Sequence, residues 1–77
     1  MGNMHIGNII RKVLREKRIS VSEFAKIANS DRTNMYRILN RESIDLSVLE
    51  RYSRLLDYDF FLVLSDIFQS EKKETGE

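Results

Sequence analysis

The chain has 77 residues, no Cys and a single His, His5. A chain of this length buries only about 60% of the surface its unfolded form exposes, so one domain around one small core is expected. Disulfide frameworks, thiolate metal sites and His clusters are excluded, and no cofactor or metal is expected.

The net charge of +1 conceals an uneven distribution: residues 1–41 carry nine Lys/Arg against three Asp/Glu (net +6), and residues 42–77 carry four against nine (net −5). A polyanion would be drawn to the first part and repelled by the second, which favours an oriented contact over the alternative of a mixed-charge solvated surface. No apolar run reaches the roughly 18 to 20 residues that span a bilayer, and no signal-peptide pattern opens the chain. Met1-Gly2 begins like a myristoylation signal, but Ile6 stands where that signal needs Ser or Thr. The expectation is a cytoplasmic protein with no membrane partner.

Residues 1–5 are expected to form a flexible N-terminus with His5 exposed to solvent. From Ile6, apolar residues recur at Ile9, Ile10, Val13 and Leu14, the three-and-four spacing of an amphipathic helix running to about Lys17. Ser20-Val21-Ser22-Glu23 reads as a capping box that starts a second helix, with Val21, Phe24, Ala25, Ile27 and Ala28 as its apolar residues. Asn29-Ser30-Asp31 favours a turn, with Asn29 the residue best able to take a left-handed conformation and Asp31 or Ser30 capping a third helix.

After the connector from Asn40 to Ile44, Asp45 is a plausible N-cap for a fourth helix carrying Leu46, Leu49, Tyr52, Leu55 and Leu56. Asp57 would end it, and Asp59 would cap a fifth helix from Phe60 to about Phe68. The domain is thus expected over residues 6–68, followed by a disordered polar tail, residues 69–77. Without strand-like alternation or an internal repeat, the fold class is all-α: a compact bundle of five short helices.

The third helix has an unusual surface. At about 100° per residue, Met35, Ile38 and Leu39 cluster on one arc and should face the core. The opposite side carries Arg32, Tyr36 and Asn40 in one row and Thr33, Arg37 and Arg41 in the next, with Asn34 on the flank and no acidic residue among them. A solvated helix face usually interleaves charge signs for i,i+4 pairing, and this one does not. Its donors suit the major groove of DNA, where Arg donates to guanine and Asn pairs with adenine, whereas Thr touches a thymine methyl or a phosphate. Ordinary solubility residues are the alternative. The preceding capped helix and three-residue turn favour the groove, because that geometry lays one helix across the backbone and pushes the next into the groove.

With these residues in place, the chain from Ile6 to about Leu64 resembles the helix-turn-helix family of the lambda repressor and Cro proteins, the XRE family. "ISVSEFAKIANSDRTNMYRIL" is similar to the family's second and third helices and "IDLSVLERYSRLLDYDFFLVL" to its fourth and fifth. The resemblance implies a recognition helix over residues 32–39 and a dimer on a two-fold symmetric operator. It places Arg32, Thr33 and Arg37 where the family reads base edges. Asn34 and Tyr36 fall where it meets phosphate, and Asn40 and Arg41 at positions suited to the DNA backbone. The start of the second helix, Ser20 to Ser22, would offer N–H groups to a phosphate.

Some positions depart from the family pattern. Val21 stands where the family often has a Gln that supports DNA contacts, and Val cannot donate. Asn29 and Asp57 stand where Gly is common. Leu14 and Leu39 replace an Arg and Glu that often pair, a change from buried ion pair to apolar contact that the fold can accept.

The fifth helix spreads Phe60, Phe61, Val63, Leu64, Ile67 and Phe68 over an arc of roughly 160°, with Leu62 outside it. Either a small bundle wraps this helix deeply, or Phe61, Leu62 and Phe68 form a homodimer surface. The leading functional expectation is a sequence-specific regulator of transcription that occupies an operator in double-stranded DNA, most simply as a repressor, with no small-molecule effector evident. The runner-up is a protein-interaction module, antitoxin-like or an adaptor, that uses the apolar face of helix 60–68; Val21 favours it. An enzyme is disfavoured by one terminal His, no Cys and no Gly-rich phosphate loop.

Overall fold

The computed structural model describes residues 5–74, with side chains to Ser70. Five helices follow in order: α1 Ile6–Lys17, α2 Val21–Ile27, α3 Arg32–Leu39, α4 Leu46–Leu56 and α5 Phe60–Glu74. There is no strand among the described residues. The architecture is all-α, and the sequence-derived starts of all five helices are reproduced.

Local chemistry explains the boundaries. At α2 both bonds of the capping box form: the Ser20 N–H donates to Glu23 Oε1 (2.8 Å) and the Glu23 N–H donates to Ser20 Oγ (3.0 Å). The Asn34 N–H donates to Asp31 Oδ1 at the start of α3 (2.6 Å), and the Leu62 N–H donates to Asp59 Oδ1 at the start of α5 (3.1 Å). Asp45 takes the extended N-cap conformation of α4, but its side chain makes no capping bond.

Helices α1, α2 and α4 end alike, without glycine. Arg18, Asn29 and Asp57 adopt left-handed conformations with φ of 60°, 56° and 50°. The following residue in each case reaches back five positions: Ile19 N–H to Leu14 O, Ser30 N–H to Ala25 O and Tyr58 N–H to Ser53 O, at 2.8 to 2.9 Å. This is the Schellman closure, which satisfies carbonyls that a helix end would otherwise leave orphaned. Asn and Asp tolerate the conformation best among residues with a Cβ; Arg18 was not anticipated in this role.

The core gathers Ile6, Ile10, Val13 and Leu14 of α1, Phe24 and Ala25 of α2 with Ala28 beyond it, Met35 and Leu39 of α3, Leu49, Tyr52 and Leu56 of α4, and Phe60 of α5. Phe24 and Tyr52 meet edge to face at its centre, with ring centroids 4.9 Å apart. Leu14 and Leu39 are both buried in this core, so these two positions pack as apolar groups. Ile38 is half-buried, and Ile27, Leu46 and Leu55 stay largely outside the core despite their place in the apolar pattern.

Three expectations need correction. Residues 69–74 continue α5 where a disordered tail was expected, and no Gly or Pro interrupts the sequence there. His5 is neither free nor fully exposed: it is the N-cap of α1, and its Nδ1 accepts the Asn8 N–H (3.0 Å). Finally, α5 does not wrap deeply, because Phe60 is its only fully buried side chain among the described residues. The rest of the expected flexible N-terminus, residues 1–4, and residues 75–77 lie outside the described residues.

Candidate nucleic-acid interface

The surface of interest is built on α3, and α1 and α2 position it. Met35 and Leu39 are completely buried and fix one side of α3 to the core. Arg32, Thr33, Asn34, Tyr36 and Arg37 are consequently exposed, as are Asn40 and Arg41 just past the helix end. Asn29 and the Ser30 N–H close α2, Asp31 opens α3 two residues later, and the Arg51 guanidinium donates to the Ala28 carbonyl (2.7 Å), tying the turn to α4.

A second set of bonds joins α1 to the far end of α3. The Ile6 N–H donates to Glu42 O (2.9 Å) and the Gly7 N–H donates to Arg41 O (3.0 Å), so the first N–H groups of α1 satisfy carbonyls beyond α3. Gly7 is required by proximity, because a Cβ there would run into the Leu39 carbonyl. One turn further along α1, Arg11 donates to Asn40 Oδ1 (3.0 Å) and holds its guanidinium 6.0 Å from the Tyr36 ring centroid.

These contacts divide the expected site residues into two groups. Arg32, Thr33, Arg37 and Arg41 make no side-chain hydrogen bond or ion pair among the described residues. Ser20, Asn34, Tyr36 and Asn40 are held: Ser20 Oγ by the Glu23 N–H, the Asn34 amide by donation to Ser30 Oγ (3.0 Å), and Tyr36 and Asn40 by Arg11. Ser22 is half-buried on the first turn of α2.

The pattern has a chemical consequence. Arg11 occupies the Asn40 oxygen, so the group that Asn40 has left to display is its NH₂ donor, which a phosphate oxygen accepts. Asn34 likewise keeps one of its two amide hydrogens. A held side chain loses less rotamer freedom on binding, whereas a free guanidinium adapts to whichever base edge it meets.

Glu23 also stands at the start of α2. Its bond from the Ser20 backbone N–H, followed by the contact with the Ser20 hydroxyl, lowers its pKa below the ordinary value of 4.5. At neutral pH this carboxylate adds negative charge beside Ser20, which reduces what that turn can offer a phosphate.

Arg11 lies outside the residues that the sequence singled out. Its partners Tyr36 and Asn40 are 25 and 29 positions away, and a helical wheel of α1 alone shows only a polar-face Arg. The three exposed side chains expected at a dimer surface are Phe61, Leu62 and Phe68, with 40%, 60% and 55% of their surface open to solvent.

Capped α2, left-handed turn and capped α3 with an unpaired cationic face define a helix-turn-helix DNA-binding domain. The chain belongs to the Cro/C1-type HTH DNA-binding domain family, whose model matches residues 9–61, well over half its length. This is a DNA-binding family and not a family of enzymes. No curated protein and no solved structure matches the chain. The family match takes in α2, the turn, α3 and α4 and ends at Phe61, so Leu62 and Phe68 lie beyond it. No helix among the described residues is long and apolar enough to cross a membrane.

Proposed function

We propose that this protein is a sequence-specific regulator of transcription that inserts α3 into the major groove of an operator and acts as a repressor by occupying it. The observation that carries the reading is the face of α3: Arg32 and Arg37, with Arg41 beyond the helix end, are exposed without a carboxylate partner among the described residues. Unpaired guanidiniums on a helix held by two buried side chains are poised for the bidentate acceptors of guanine. In this reading Arg32, Thr33 and Arg37 contact base edges. Ser20, Ser22, Asn34, Tyr36, Asn40 and Arg41 meet the phosphate backbone, and two copies join through Phe61, Leu62 and Phe68.

Selection from randomised duplex DNA at near-physiological salt, run in parallel with an Arg32→Ala/Arg37→Ala double variant, tests the reading. An enriched palindrome that the variant fails to enrich is the expected result. No enrichment by either protein would overturn it and favour a protein-interaction module instead, on the observation that α5 exposes Phe61, Leu62 and Phe68.

A further inference from the structure

Arg11 and Arg15 stand one helical turn apart on α1 and line the same open recess between α1 and the start of α2. Leu14, Ile19 and Val21 form its apolar part, and Ser20 completes the lining. Arg15 is exposed and its side chain has no hydrogen bond or ion pair among the described residues. Arg11 connects the recess to the α3 surface through Tyr36 and Asn40. From this juxtaposition we infer that the DNA-contacting surface extends onto α1, where the recess takes one backbone phosphate of the duplex between the Arg11 and Arg15 guanidiniums.

The inference rests on the reading of α3 as the DNA-facing helix and adds a contact to it. Two like charges facing one recess repel unless an anion lies between them, and a phosphodiester oxygen pair matches the guanidinium fork. Arg11 has a second duty: its bond to Asn40 fixes the recess relative to α3, so base contacts and this phosphate are engaged in one register.

Salt titrations of DNA binding with four proteins separate the possibilities: the unaltered chain, Arg15→Ala, Arg11→Lys and Arg37→Ala, each on selected and random duplexes. All four are first matched by circular dichroism and thermal melting. Arg15→Ala should flatten the plot of log affinity against log salt by about one unit on both duplexes, equivalent to about a 3- to 4-fold smaller loss between 50 and 200 mM salt, with base preference intact. Arg11→Lys should keep the slope, because the charge remains, while weakening binding through loss of the fork geometry.

An unchanged slope for Arg15→Ala, beside a lost base preference for Arg37→Ala, would overturn the α1 contact and leave the α3 reading standing. A flattened slope for Arg15→Ala with Arg37→Ala indistinguishable from the unaltered chain would uphold α1 and remove α3 as base reader. Absence of duplex binding by all four would overturn both.

Discussion

Arg37 lies on the α3 surface and Arg41 just past its end; both side chains are free of hydrogen bonds and ion pairs among the described residues, yet their expected contributions differ. In the proposed reading Arg37, inside α3, enters the groove and reaches base edges, whereas Arg41 follows the helix end, its own carbonyl tied to the Gly7 N–H. Arg37→Ala should relax base preference at one position of the operator and cost about 1 to 3 kcal/mol on the selected site, with a smaller effect on random DNA. Arg41→Ala should weaken all duplexes alike and reduce the salt slope by about one unit. Fluorescence anisotropy on matched and mismatched duplexes measures both. Equal losses on selected and random DNA for Arg37→Ala would remove it as a base reader.

At the scale of the element, α2 depends on a seven-residue helix starting cleanly, and its capping box carries a pH signature. The Glu23 pKa is lowered in the folded protein, first by the Ser20 backbone N–H and then by the Ser20 hydroxyl. A carboxylate with a depressed folded pKa contributes stability that is present above its ordinary value of 4.5 and is lost as pH falls through the folded value. Glu23→Gln keeps an acceptor for the Ser20 N–H but cannot titrate. Thermal unfolding from pH 7 down to pH 3 should therefore show the unaltered chain losing stability relative to Glu23→Gln only below about the Glu range. Parallel curves over that interval would show that the box contributes nothing through charge.

The same elements show what was legible in the sequence. The capping box, the Asp31 and Asp59 caps, left-handed Asn29 and the end of α4 at Asp57 are local events within a few residues, where side-chain chemistry and spacing act directly. The buried side of α3 followed from periodicity alone. Arg11 on Asn40, Gly7 under the Leu39 carbonyl and Arg51 on the Ala28 carbonyl join residues 23 or more positions apart, so no local pattern contains them. Leu46 and Ile27 show the opposite error: periodicity placed them on a face, but the packing neighbour that would cover them is missing among the described residues. The extension of α5 to Glu74 was obscured because polar composition suits both a tail and an exposed helix.

Over the whole molecule, charge and apolar surface set two opposing responses to salt. The basic part, residues 1–41, holds α1 to α3, and the acidic part, residues 42–77, holds α4 and α5. If two copies join through Phe61, Leu62 and Phe68, each brings its acidic part to the seam, with Asp57 and Asp59 lining the same recess as Phe61 beside the paired Glu50 and Arg54, and the net negative charge repels across it. Screening shortens that repulsion from a reach of about 10 Å at 0.1 M salt to about 3 Å at 1 M, while apolar burial is unaffected or strengthened. Dimerisation should consequently tighten as salt rises, whereas DNA affinity falls over the same range. Sedimentation velocity at 50 mM and 500 mM salt should show a larger fraction at twice the 9.1 kDa chain mass in the higher salt. Leu62→Glu, placed at the most exposed of the three side chains, should abolish it. On DNA the dimer should prefer half-sites about one helical turn apart, 34 to 36 Å, and Leu62→Glu should lose that spacing preference while retaining single-site contacts. A dimer that loosens as salt rises would assign its contacts to ion pairs and remove the α5 seam. A monomer at both salts that binds a single site would remove the two-fold operator and leave α3 to read one half-site alone.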